Sequence, residues 1–231
     1  MNTIIFDLET TGLDVKKVRI IEYMFMNIKN HKYISSFVNP KCEIPPEVIK
    51  INGITNMDVE KSPTFKECIP DIMGFIGPKA YLVAHNACRY DIPLLYNELR
   101  RNGVEPPPGW KVIDTLHIAR VLYPDLKNHK QDTLREKFGL STKNNHQANK
   151  DVIDLAVIFC HMLKGRRILD LFKISDDYSY SHMPFGKYRG HKIEDVPDDY
   201  IKWMLKTDIF YRDEDLMKTF VKAGKIEFCE N

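Results

Sequence analysis

The beginning of the chain alternates between short apolar runs and polar breaks. Residues 3–8 (TIIFDL) form an apolar run that predicts a buried strand. Segments 18–28 and 33–38 are rich in β-branched and aromatic residues, and a polar gap at Asn30 and His31 separates them. This gap favours a hairpin turn. The pattern therefore predicts three antiparallel strands at the start of the chain.

Helix-like patterns follow this strand-rich segment. The proline pair at 45–46 opens a short helix, and a second helix is predicted from about residue 62 to residue 76. A buried strand is predicted at 80–84. Further helices are predicted from Asp91 and over 114–123, 131–138 and 150–163. Strands followed by helices indicate an α/β fold, a mixed sheet flanked by helices, over residues 1–165.

The pattern changes beyond this domain. Residues 166–181 include a polar stretch without a clear period and are predicted to be a linker. Residues 182–231 have a pattern of their own, with a glycine-punctuated basic segment, a helix that starts after Pro197 and another helix at about 213–223. Such a short segment buries little surface by itself, so it is predicted to be a small C-terminal module.

Composition excludes several classes of protein. With 43% hydrophobic and 29% charged residues among 231, the chain is typical of a globular protein. Its five cysteines are scattered and never form C-x-x-C, which argues against a disulfide framework or a zinc knuckle.

No apolar run reaches the ~20 residues that a membrane span needs. Because the N-terminus leads directly into a strand, we expect no signal peptide and an intracellular, cytoplasmic protein without membrane contact. The net charge of +2 does not decide the function.

Acidic residues at strand and helix ends are the first candidates for chemistry. Asp7 and Glu9 lie two apart on the first predicted strand, so their side chains point to the same face. Asp91 follows a buried strand and begins a helix, where it could also be an N-cap. His146 and Asp151 lie in a polar run that enters a helix. Each of these residues alone could be an ordinary solvated side chain or cap.

Three segments together are more specific. Residues 7–12 (DLETTG), 85–91 (HNACRYD) and 146–151 (HQANKD) resemble, in order, the three motifs of the DEDDh (DnaQ-like) 3′→5′ exonuclease family. Residues 52–55 and 112–115 also fit landmarks of that family, although Asn52 stands where a histidine is more usual. The C-terminal residues 184–190 (PFGKYRG) and 199–203 (DYIKW) are similar to the C-terminal module of the exonuclease X group. The resemblance implies a ribonuclease H-like fold.

The resemblance also implies a two-metal active site that holds Mg²⁺, for which Mn²⁺ could substitute. Asp7 would bridge the two ions, Glu9 and Asp151 would complete the site that holds the nucleophilic water, and Asp91 would help to hold the second ion. His146 would be the general base, because its ordinary pKa of ~6.5 suits proton removal near neutrality. The terminal nucleotide would be bound by Thr10, Thr11, Gly12, Leu13 and Asn86. Asp114 is predicted to be a helix cap and not a ligand.

The implied function is hydrolysis of DNA from 3′ ends to nucleoside 5′-monophosphates, in DNA repair or recombination. The substrate would be single-stranded or duplex DNA, and a homodimer is possible. Trimming of RNA 3′ ends, a polymerase-associated proofreading subunit and, as the weakest alternative, a non-catalytic nucleic-acid-binding module stay open. In the C-terminal module, the candidates for nucleic-acid contacts are Lys187, Tyr188, Arg189 and Lys192. The alternative for this module is a packing or protein-docking role, with Trp203 in its core.

Overall fold

The computed structural model describes residues 1–141 and 148–227. The chain divides into two compact units, Met1–Asp176 and Asp177–Asn231. The sequence places a domain end near residue 165 and a linker over 166–181. The division instead falls within that predicted linker.

The first unit is built on a five-stranded mixed sheet. Its strands are β1 (Asn2–Thr10), β2 (Ile20–Asn27), β3 (Tyr33–Phe37), β4 (Lys79–Ala84) and β5 (Gly109–Asp114). The strand order is β3-β2-β1-β4-β5. β1 pairs antiparallel with β2, and β2 with β3, which confirms the three antiparallel strands expected from the sequence. β4 is parallel to both β1 and β5, so the carboxyl ends of these three strands lie at one edge of the sheet.

Helices connect and flank these strands. Before β4 they are α1 (Pro46–Asn52), α2 (Asn56–Val59) and α3 (Phe65–Ile76). After β4 they are α4 (Asp91–Arg101), α5 (Thr115–Leu122), α6 (Gln131–Lys137), α7 (Ala148–Leu163) and α8 (Ile168–Asp176). This arrangement is the ribonuclease H-like fold that the sequence motifs imply.

Alternation along β1 divides the core of this unit between the two faces of the sheet. Phe6 and Leu8 point into the cluster that includes residues of α3 and α4. Ile5 points into the other cluster, which includes residues of α7 and α8. Because side chains two apart share a face of a strand, Asp7 and Glu9 lie on the same face as Ile5, towards α7.

Two elements differ from the sequence-based expectation. No strand is predicted from the sequence over β5, where residues 112–115 are only a landmark of the family resemblance; the short run follows three prolines and shows no clear alternation. Its pairing with β4 makes it a strand. The helix α8 occupies most of the predicted linker: Leu171 is fully buried, and α8 packs against β5 and α5. The predicted linker is therefore partly a core helix, since tertiary contacts supply partners for its apolar residues.

The second unit has its own small core. Its helices are α9 (Asp198–Leu205), α10 (Ile209–Arg212) and α11 (Glu214–Lys222), preceded by a 3₁₀ turn at Ile193–Asp195. Met183, Ile201 and Phe220 are among its buried residues. The two helices predicted from the sequence, after Pro197 and at about 213–223, are both present.

Candidate active site

Three carboxylates converge on the face of the sheet that α7 covers. Asp7 and Glu9 come from β1, and Asp151 lies in the first turn of α7. One oxygen from each lies within 4.8 Å of the others, and all three side chains are partly buried. The helix α7 packs on β1, which explains how a residue so distant in sequence reaches the strand. We call these three residues the carboxylate cluster.

The cluster is electrostatically unfavourable without a cation. Burial raises the pKa of Asp7 well above its usual range, and the negative charges of Asp91, Glu9 and Asp151 raise it further. Burial, with the charges of Asp151 and Glu22, also raises the pKa of Glu9 to about 7. An amide of Asn52, 3.5 Å from Glu9 Oε2, acts in the opposite direction. The structure therefore holds ionisable groups together at a cost that a bound cation would offset.

Glu22 was not identified from the sequence. It lies on β2 directly opposite Glu9 in the antiparallel register, and it is buried. Its charge contributes to the raised pKa of both Asp7 and Glu9. Only the register of β1 on β2 places this fourth acid beside the cluster, because Glu22 stands among apolar residues in the sequence.

Asp91 lies beside the cluster and not within it. It is the first residue of α4 and is 5% exposed. After burial, its charge is the largest contribution to the raised pKa of Asp7, so the two side chains are close. The pKa of Asp91 is itself raised by burial and by the charge of Asp114. Tyr90 occupies the N-cap position, which makes the alternative prediction of Asp91 as an N-cap wrong.

A buried arginine holds Asp151. Arg135 in α6 is 3% exposed, and its guanidinium donates to three carboxylates. These are Asp151 Oδ1 at 2.5 Å, Asp154 Oδ2 at 2.8 Å and Asp132 Oδ1 at 2.8 Å. This bond fixes the orientation of Asp151 within the carboxylate cluster. This contact was missed in the sequence, where Arg135 stands in an ordinary charged helix.

The donor set of the cluster fits a hard divalent cation. All of its atoms are carboxylate oxygens, which Mg²⁺ and Mn²⁺ prefer, whereas zinc prefers histidine and cysteine. The raised pKa values of Asp7 and Glu9 indicate that each gains from a neighbouring positive charge. Asp7, Glu9 and Asp151 are the residues that would hold such an ion.

The loop after β1 carries the residues predicted to bind the terminal nucleotide. Thr10 is buried, and its Oγ1 lies 2.6 Å from the hydroxyl of Tyr90 and 2.7 Å from the carbonyl oxygen of Gly12. The Tyr90 hydroxyl also donates to that carbonyl. A Cβ at Gly12 would lie 3.0 Å from Val18 Cγ1, so a larger residue would force this side chain to shift. Tyr90, another residue missed from the sequence, thus holds the two ends of this tight turn together.

Further contacts hold the same loop against α4. Glu98 is fully buried and accepts hydrogen bonds from Arg19 Nε at 2.7 Å and from Arg101. Thr11 Oγ1 accepts from the backbone of Arg19 at 3.0 Å. Leu13, at the tip, is 88% exposed. The loop is therefore fixed at its base and presents one leucine to solvent.

Asp114 is a structural carboxylate, as the sequence predicts. It is the N-cap of α5, where Oδ1 accepts from Leu116 N at 2.9 Å, and it is fully buried. It also accepts from the backbone of Asn86 at 2.9 Å and of Cys88 at 3.1 Å. These bonds fix the loop in which Asn86 adopts a left-handed conformation (φ 65°). The backbone of Asn86, and not its side chain, makes the contact that fixes this residue in the loop that leads to Asp91.

His146, the predicted general base, lies outside the described residues, so its role stays a prediction from its motif. In the part of the chain that is described, no helix combines the length and apolar character needed to cross a bilayer.

A family model described as "Exonuclease" matches residues 4–159. A second model, described as "Putative quorum-sensing-regulated virulence factor", matches residues 176–214. A DNA polymerase III of the PolC type from Caldanaerobacter subterraneus is 35% identical over 176 residues, which are 75% of this chain and 12% of that protein. The chain thus spans about an eighth of that relative.

Two further relatives are of similar size to this chain. The DNA polymerase III subunit epsilon of Aquifex aeolicus is 30% identical over 190 residues, which are 80% of this chain and 91% of the relative. A structure of exonuclease X in complex with 5′-overhanging duplex DNA is 25% identical, with a TM-score of 0.59. The match covers 75% of this chain and 99% of the exonuclease X chain. Since the first model matches more than half of the residues, the chain belongs to the exonuclease family.

Proposed function

We propose that this protein is a metal-dependent 3′→5′ exonuclease that removes nucleotides from DNA 3′ ends and releases nucleoside 5′-monophosphates. The observation that carries the proposal is the convergence of Asp7, Glu9 and Asp151 within 4.8 Å beside the buried Asp91. Membership of the exonuclease family supports the reaction class. The names of the relatives, which include polymerase III subunits and a DNA-bound exonuclease X, support DNA as the polymer.

Divalent ions at this site would neutralise the charge that develops on the phosphate and lower the pKa of a bound water. The chain's own residues have separate parts in this proposal. Asp7, Glu9 and Asp151 supply the ligands, and Arg135 orients Asp151. The loop of Thr10, Thr11, Gly12 and Leu13 receives the terminal nucleotide, because Tyr90 and Glu98 hold it preformed.

The decisive experiment is digestion of a 5′-labelled oligonucleotide by the purified chain. We expect a ladder of products shortened from the 3′ end with Mg²⁺ or Mn²⁺, and none with EDTA. Single-stranded DNA, duplex DNA and RNA of one sequence should be compared in parallel. Equal digestion in EDTA would contradict the metal requirement, and faster digestion of RNA than of DNA would favour RNA trimming.

His146 is proposed as the general base on the basis of its motif. His146→Ala should lower kcat by ~10²–10⁴-fold, the usual contribution of a positioned base, while Mn²⁺ binding is retained. The measurement is single-turnover digestion together with Mn²⁺ titration. Unchanged turnover would remove His146 from the mechanism.

A specific observation also favours a second candidate, a proofreading subunit that acts with a polymerase. The epsilon subunit of Aquifex aeolicus is matched over 91% of its length. The resemblance of residues 184–190 and 199–203 to the C-terminal module of the exonuclease X group instead favours a free-standing enzyme, which we propose acts in DNA repair or recombination. Purification of the tagged protein from its own cells distinguishes the two, because a proofreading subunit should co-purify with a replicative polymerase.

A further inference from the structure

The C-terminal unit carries a row of three aromatic rings. Tyr188 and Tyr200 meet edge to face at 4.8 Å between centroids, and Tyr200 stacks on Trp203 at 5.2 Å with an interplanar angle of 27°. The row ends at Trp203, which is 50% exposed. The alternative expectation of Trp203 in the core of this unit is therefore wrong. We call these three residues the aromatic row.

The local sequence explains why the row forms. Tyr200 and Trp203 lie three apart on α9, which places them on one side of the helix. Gly186 has a φ of 75°, and a Cβ there would lie 2.6 Å from the Tyr200 hydroxyl. Only glycine allows the turn that carries Tyr188 to approach α9 so closely.

Three cations lie in the sequence around Tyr188, whereas the first turn of α9 carries Asp198 and Asp199. Lys187 Nζ lies 5.4 Å from the centroid of the Tyr188 ring, and Arg189 and Lys192 are exposed. None of these three cations forms an ion pair with any residue in the described parts of the chain. Residues 182–192 contain no acidic side chain. The cations are therefore available to an anionic ligand.

One exposed and two half-buried rings, beside cations that form no ion pair within the described residues, match the chemistry of single-stranded nucleic acid. A base stacks on an aromatic face, and the adjacent phosphates are neutralised by lysine and arginine. An apolar peptide would bury Trp203 equally well, but it would leave the three cations without partners. The combination of ring and charge thus favours a polynucleotide over a protein.

We propose that the aromatic row, with Lys187, Arg189 and Lys192, is a second binding site that holds single-stranded DNA by stacking and phosphate contacts. The choice of DNA as the polymer rests on the proposed function of the first unit. Since both units belong to one chain, a strand that binds to the second unit is tethered to the first. The site would strengthen binding of long strands more than of short ones.

The test is binding of a fluorescein-labelled oligo(dT) of about 20 nucleotides to the full chain in EDTA, followed by fluorescence anisotropy. Trp203→Ala should weaken binding by about tenfold or more, and Trp203→Phe should retain most of the affinity. Leu205→Ala is the matched control, because Leu205 is 47% exposed on the same helix but outside the row. It should stay within about twofold of the unchanged protein, since it removes no stacking surface.

The phosphate contacts have their own readout. Arg189→Gln should reduce the slope of log affinity against log salt concentration by about 0.7, the value for one contact to a single strand. If Trp203→Ala and Arg189→Gln both bind like the unchanged protein, the second site does not exist and the row serves packing or protein contact. Because binding is measured without metal, a loss in these variants supports the site even if digestion with Mg²⁺ fails.

Discussion

Two groups of acids near the same edge of the sheet have opposite surroundings. Asp114, at the end of β5, is fully buried and accepts three backbone hydrogen bonds, from Asn86, Cys88 and Leu116. Asp7 and Glu9, on β1, face other acids, and the pKa of both is raised. The hydrogen bonds of the protein stabilise the charge of Asp114, whereas the neighbours of Asp7 and Glu9 destabilise theirs.

The difference separates structural acids from functional ones. Glu98 belongs with Asp114, because two arginines surround it in its fully buried position. An acid that the fold satisfies stabilises the fold. An acid that the fold leaves beside like charges lowers stability, and such a site is retained where a cation or substrate binds. Four substitutions or conditions test this separation, from the largest expected effect to the smallest.

Asp7→Asn should have the largest effect on activity. We expect kcat to fall more than ~10³-fold, because Asp7 lies at the centre of the cluster and would contact both ions. The metal-free protein should unfold at a higher temperature than the unchanged protein, since one ionisable group is removed from a cluster of like charges. Digestion rates and thermal unfolding in EDTA measure the two effects. A loss of both activity and stability would show that Asp7 is structural.

Asp114→Asn should show the reverse pattern. An amide nitrogen in place of one oxygen faces a backbone donor, so we expect a loss of about 2–4 kcal/mol in the free energy of unfolding. The increase in melting temperature on addition of Mg²⁺ should be retained, because the carboxylate cluster is intact. Denaturant unfolding with and without Mg²⁺ measures both. Unchanged stability would contradict the structural role of Asp114.

Arg135→Lys should weaken metal binding more than DNA binding. Lysine keeps the charge but cannot donate to Asp151, Asp154 and Asp132 together, so Asp151 loses its fixed orientation. The Mg²⁺ concentration for half-maximal rate should rise by ~10–100-fold, with KM for the oligonucleotide nearly unchanged. The matched control is Arg167→Gln, which breaks an exposed ion pair with Asp170 and should change neither value. Equal effects in both variants would refute a positioning role.

The response to pH should report the raised pKa of Glu9, about 7. The folded, metal-free protein binds this proton more tightly than the unfolded chain does. Its stability should therefore fall as pH rises from about 4.5 to 7, by at most about 3 kcal/mol. Stabilisation by Mg²⁺ should grow through the same window, because protons compete with the ion. Thermal unfolding at pH 5, 6, 7 and 8 checks this. In Glu9→Gln the dependence of stability on pH should be smaller. If the curve of stability against pH is identical to that of the unchanged protein, another group causes the dependence.

Much of the fold could be predicted because local patterns are strong. The apolar run over residues 3–8 and the hairpin gap at Asn30 and His31 predicted β1, β2 and β3, and the apolar spacing predicted α3 and α7. β5 and α8 were missed, since each depends on a distant partner: β5 pairs with β4, and α8 packs on β5. The residues of β5 and α8 do not indicate which distant element each will contact.

The sequence by itself determined which acids share a strand face, that Asp114 caps a helix, and that the order of motifs is that of the exonuclease family. Only the tertiary structure decided that Asp151 reaches Asp7 and Glu9, that Arg135 orients it, and that Glu22 adds a further charge. The physical reason is the distance along the chain over which each effect acts. Periodicity and capping act within a few residues, whereas the charges on an acid come from whichever elements pack beside it.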